Sequence, residues 1–180
     1  GATAPKDVVI VVDASGSMFS NIGSGSMTRA DAAFAATLAL LDTLGWADYF
    51  NIVLFSDGAR LAFQEGLMQA TDGIKAEARE WMNGQNWASG STNFQEAFSA
   101  AIGTLRDSRN SGTTSTCNRI ILFLSDGAPN AWTEDDFVSL EQEAHDLGTV
   151  VFTYGLSTGA DATISQRIAC ENSGIYYQIN

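Results

Sequence analysis

The chain has 180 residues, 45% of them hydrophobic and 17% charged, which is enough for one domain that buries roughly 70% of its unfolded surface. A formal charge of -12, with Lys6 and Lys75 as its two lysines, sets up a field that repels phosphate backbones and anionic lipid, so nucleic acid and membrane surfaces are poor candidate partners. No apolar stretch is long enough to insert into a bilayer.

The segment Gly1-Ala2-Thr3-Ala4-Pro5 has neither the charged start nor the apolar core of a signal peptide, and the chain reads as a mature product or an excised domain. Val8 to Val12 form a continuous apolar run closed by Asp13-Ala14-Ser15-Gly16-Ser17. This is the pattern of a buried parallel strand that delivers oxygen side chains at its carboxyl end. Residues 18–27 are a Gly/Ser/Asn loop, and Thr28 caps a helix whose apolar residues recur from Ala30 to Leu44. Residues 49–55 form a second strand. Ser56-Asp57-Gly58 turns it into a short antiparallel edge strand near 60–63.

Helices are expected over 71–82 and 92–105, with a polar loop over 107–116. A second buried strand over 119–124 also ends in an acid, at Ser125-Asp126-Gly127. A helix over 134–147, a strand over 149–154, a helix over 162–170 and a closing strand over 174–179 complete the chain. Strands alternating with helices imply an α/β fold: a doubly wound, mostly parallel central sheet with one short antiparallel edge strand and helices on both faces, in one domain over 1–180.

In such a sheet the parallel strands end at one edge, where Asp13, Ser15 and Ser17 join Asp126, and the loop before the third helix adds Thr92. Hard oxygen donors of this kind suit Mg²⁺, Ca²⁺ or Mn²⁺. Asp13-x-Ser15-x-Ser17, Thr92 within Gly90-Ser91-Thr92-Asn93, and Asp126 within Ser125-Asp126-Gly127 together resemble the metal-ion-dependent adhesion site of von Willebrand factor type A domains. All five positions of that pattern are filled. Within the family, Cys117-Asn118-Arg119-Ile120-Ile121, the stretch 168–177 and Phe152-Thr153-Tyr154-Gly155 resemble the type A domain of alpha-2-delta auxiliary subunits of calcium channels and related Cache-domain proteins. The loops 18–27 and 108–116 depart from that likeness.

The resemblance implies a divalent-cation-dependent protein-binding module, extracellular or at the cell surface, holding one Mg or Ca ion. In that family the acids often act through water, so the ion keeps positive charge and seeks an Asp or Glu carboxylate from a protein partner. Rival readings are a Mg-dependent phosphohydrolase with Asp13 as nucleophile, and a structural domain with a vestigial site. Against the phosphohydrolase, Ser15 stands where a second acid is needed and no Lys lies in a ligand loop.

Phe19, Trp87 and Trp132 lie in or beside the ligand loops and are candidates for an apolar partner-binding rim, the alternative being that they fold back onto helices. Asp57, Glu134, Asp135 and Asp161 read as solvated acids, and His145 as a helix-surface residue without a catalytic role. Cys117 and Cys170 fall near the opposite edge, on elements about 10 Å apart. The likeness to an extracellular family favours a disulfide between them. Free thiols, or a bond to another chain, are the alternatives.

Overall fold

The computed structural model describes residues 4–127, 129–156 and 162–179. Its framework is one sheet with strand order β3-β2-β1-β5-β6-β7. The strands are β1 (Lys6–Asp13), β2 (Tyr49–Phe55), β3 (Ala59–Leu61), β4 (Met68–Gln69), β5 (Asn118–Ser125), β6 (Thr149–Gly155) and β7 (Tyr176–Gln178). The neighbours β2-β1-β5-β6-β7 pair in parallel.

β1 runs through the middle, and its uninterrupted apolar run serves both faces. Val8, Ile10 and Val12 point to the side covered by α1 (Arg29–Asp42) and α2 (Asp72–Asn83). Val9 and Val11 point to the side covered by α3 (Phe94–Ser111), α4 (Glu134–Asp146) and α5 (Thr163–Glu171). This is the period-2 alternation of a strand buried on both faces. Toward β6 and β7 the first side is more open, and an apolar groove of about 170 Å³ lies over Ile120, Leu122, Phe152 and Tyr154.

The outer edge of β2 carries two short antiparallel strands in tandem: β3 opposite Val53 to Phe55, and β4 opposite Tyr49 and Phe50. The second is an addition to the sequence expectation. Buried Asn51 makes it possible, because its Nδ2 donates to Phe63 O and Gly66 O while its Oδ1 accepts from Phe63 N. One side chain thereby satisfies the backbone of the intervening loop, which would otherwise carry unpaired polar groups.

α3 runs to Ser111, through part of the stretch expected to be a loop, and stops where Gly112 takes a left-handed conformation at φ 78°. The 18–27 segment is also more ordered than its composition implies. Gly16–Phe19 form a 3-10 turn anchored by fully buried Met18, and Asn21 bridges to Thr28 in antiparallel fashion.

Cys117 and Cys170 correct the expectation of a disulfide: both are free and exposed. Cys117 lies before β5. Cys170 faces solvent on α5 while Ile168 and Ala169 turn inward, and α5 packs on β6 and β7 instead of β5. Asp161 lies outside the described residues.

Candidate metal centre

Parallel register sets the depth of the centre. Val12 pairs with Leu54 on one side and Leu124 on the other, so Asp13 and Ser125 come level one residue later at the carboxyl edge. There Ser125 Oγ donates to Asp13 Oδ2 at 2.8 Å. Asp13 Oδ1 accepts from Ser15 N at 2.8 Å and from Ser15 Oγ at 2.5 Å. The chain turns so tightly after β1 that Ser15 folds back onto the acid two residues before it. Ser17 Oγ then stands 3.3 Å from Ser15 Oγ. Burial grades outward, with Asp13 and Ser15 fully enclosed and Ser17 exposed, so the cluster opens to solvent through Ser17.

Thr92 is brought in by backbone braces. Gly16 N donates to Gly90 O, Ser89 N to Ala14 O, and Asn93 N to Ser56 O. On the other flank Asn130 Oδ1 accepts from Thr92 N at 3.1 Å, and Asn130 N donates to Thr92 O at 2.9 Å. The loops after β1 and β5 thus both grip the segment that carries Thr92.

Burial, and then the neighbouring Asp126, push the Asp13 carboxyl up to about 6, against the hydrogen bonds from Ser15 and Ser125 that pull it down. Asp126 is nearly as buried, and its two oxygens differ. Oδ2 accepts from Arg29 Nη1 at 3.1 Å, whereas Oδ1 is buried without a hydrogen-bond partner. A buried anionic oxygen left unpaired is costly unless a cation meets it. Among the described residues no three His, Cys, Asp or Glu side chains cluster to hold a metal, so an ion here would rest on hydroxyls and two carboxylates. That donor set is chemically suited to a hard divalent cation.

Arg29 and Ser125 escape the sequence reading. Ser125 gave no signal beyond adjoining Asp126. Arg29 did give one: it occupies the first position of α1, where the helix dipole disfavours a cation. Of the aromatic candidates, Phe19 alone is strongly exposed, at 68%. Trp87 stacks edge-on against Phe34 and donates Nε1 to Met82 O, while Trp132 packs against Phe94, Phe98 and Phe137. Both fold back because apolar partners lie within reach, and neither forms a free rim. Asp57 and Glu134 are exposed but engaged, the first by Ser91 and the second by Arg167, and His145 is exposed in the last turn of α4.

Residues 8–128 match the von Willebrand factor type A domain. The chain belongs to that family. This type A domain is 31% identical over 185 residues to the human voltage-dependent calcium channel subunit alpha-2/delta-3, an alignment that covers 99% of this chain and 16% of the relative. The chain therefore spans about a sixth of the length of that relative. Among solved structures it superposes on a von Willebrand factor type A protein from Catenulispora acidiphila with a TM-score of 0.80 and 23% identity, covering 99% of this chain and 39% of that one. On manganese-loaded Plasmodium vivax TRAP protein the TM-score is 0.67 at 16% identity, covering 98% and 69%. At these identities the superpositions show the shared fold. Among the described residues no helix is long and apolar enough to cross a membrane.

Proposed function

We propose that this type A domain is a divalent-cation-dependent protein-binding module, part of a larger extracellular or cell-surface protein. Asp13, Ser15, Ser17, Thr92 and Asp126 would hold one Mg or Ca ion, and an Asp or Glu carboxylate of a protein partner would complete it. The observation that carries the reading is the unpartnered, buried Oδ1 of Asp126 beside hydroxyls at the open edge of the sheet. When bound, such an ion supplies a positive coordination point for an anionic ligand. The chain's own residues do the rest: Ser15 gives its hydroxyl hydrogen to Asp13 and so keeps its lone pairs for the ion, and Ser125 fixes the second oxygen of Asp13.

The sequence likeness to a calcium channel subunit supports a role in protein assembly. The fit to hydrolytic chemistry is poor: a nucleophilic Asp13 has to reach a substrate, yet it is fully buried and both its oxygens accept hydrogen bonds. Calorimetric titration of Mg²⁺, Ca²⁺ and Mn²⁺ into chelator-treated protein tests the reading. Saturable binding that is lost in Ser17→Ala and Asp126→Asn supports it. Failure of the folded wild type to bind at millimolar ion overturns it in favour of a vestigial site.

A further inference from the structure

Arg29 reaches the centre by an unusual route. Its backbone N donates to Ser20 O at 2.9 Å, next to the bridge between Asn21 and Thr28, so the folded-back loop fixes where α1 begins. From that first helical position the side chain turns into the centre, 20% exposed, with Nη1 at 3.1 Å from Asp126 Oδ2 and 3.5 Å from Ser17 O. Its Nε is buried without a hydrogen-bond partner. The guanidinium thus touches two of the three segments that carry the donors, at a helix position where a cation is disfavoured.

We infer that Arg29 is the residue that sets the charge of the metal centre, lowering its affinity for the cation and raising its demand for an anionic partner. The inference rests on the proposed metal site. Two carboxylates and one guanidinium give the cluster a net charge of about -1, so a bound dication leaves it near +1, and an incoming carboxylate restores neutrality. Without Arg29 the formal charge of the two acids would match that of the ion, and its pull on a partner's carboxylate would be weaker. Arg29 also holds Asp126 Oδ2, which leaves Oδ1 as the oxygen free for the ion. It acts as a positioning residue as well as a counter-charge.

The test compares the wild type with Arg29→Met, which removes the charge and keeps much of the apolar stem, and Arg29→Lys, which keeps the charge. Mn²⁺ affinity is read by calorimetry. Acetate binding to the Mn²⁺-loaded protein is read by the fall in water-proton relaxation as acetate displaces water from the ion. Thermal unfolding in chelator reports folding. The expected result for Arg29→Met is Mn²⁺ binding about tenfold tighter, a weaker acetate response and a lower unfolding midpoint in chelator, with Arg29→Lys close to wild type in the first two. A purely structural role would weaken both ligands together. Mn²⁺ binding by Arg29→Met that is unchanged or weaker, with the wild type binding normally, overturns this inference alone. Absence of Mn²⁺ binding by the wild type overturns it together with the metal site.

Discussion

Gly16 N donates to Gly90 O at 2.9 Å, tying the loop that carries Ser15 and Ser17 to the loop that carries Thr92. Gly90 has φ 85°, and a Cβ there would lie 3.1 Å from Asp57 Oδ2 and 3.3 Å from the Ser56 Cβ. The conformation favours glycine, and a side chain there would also have to push Asp57 and Ser56 aside by a few tenths of an ångström. Gly90→Ala is expected to cost about 1–3 kcal/mol in urea unfolding and to weaken Mn²⁺ binding by displacing Thr92. Wild-type stability in the variant would show that the loop accommodates a side chain at this position.

Asp57 stands behind the same loop. Its Oδ1 accepts from Ser91 N at 2.8 Å and from Ser91 Oγ, and these bonds hold its carboxyl below the usual range. Being exposed, it adds little to global stability, yet it fixes the residue next to Thr92. Asp57→Ala is expected to leave the thermal midpoint almost unchanged while Mn²⁺ affinity falls several-fold. Equal affinities in calorimetry would assign Asp57 to solvation alone.

The contrast between these two residues and the rest of the edge marks what a sequence can reveal. The runs 8–12 and 120–124 are apolar at every position, so they had to be buried strands, and topology then sent Asp13 and Asp126 to one edge. Short pairings gave no comparable signal. β4 is two residues long and depends on the side chain of Asn51 some way before it. The end of α3 was hidden because its last two turns are polar, although Gly112 marked the stop. The partners of Arg29 and Trp132 belong to three-dimensional packing, which spacing along the chain does not encode.

The aromatic residues near the edge divide into one exposed ring and two packed ones. Trp132→Ala removes contacts with Phe94, Phe98 and Phe137 and is expected to lower stability by about 3 kcal/mol. Phe19→Ala, at an exposed position beside the ligand loop, is expected to change neither stability nor Mn²⁺ affinity. Loss of stability in Phe19→Ala would mean that its ring is packed in solution.

Both thiols are free and exposed, so an aromatic disulfide reagent is expected to titrate two of them in the native protein. Dithiothreitol is expected to leave the unfolding midpoint where it is. A count of two only after unfolding and reduction, with a midpoint that drops on reduction, would restore the Cys117–Cys170 bridge.

Arg167 fastens α5 to α4, and the acid side of that fastening should be visible as pH falls. Its Nη1 and Nη2 each lie 2.7 Å from an oxygen of Glu134, its Nε lies 2.6 Å from Glu171 Oε1, and its guanidinium carbon sits 3.8 Å over the Phe137 ring. The Arg167 hydrogen bonds hold the Glu134 carboxyl below its ordinary value of 4.5. For an acid whose folded value is depressed, the unfolded chain takes up the proton first. The stabilisation is thus fully present above the unfolded value and is lost as pH falls through the folded one. The thermal midpoint of the wild type should therefore fall more steeply below about pH 4.5 than that of Glu134→Gln, and the two curves should converge in acid. Parallel curves from pH 7 to pH 3 would mean that the exposed pair is screened to the point of contributing nothing, leaving the stacking of Arg167 on Phe137 as the contact that joins the two helices.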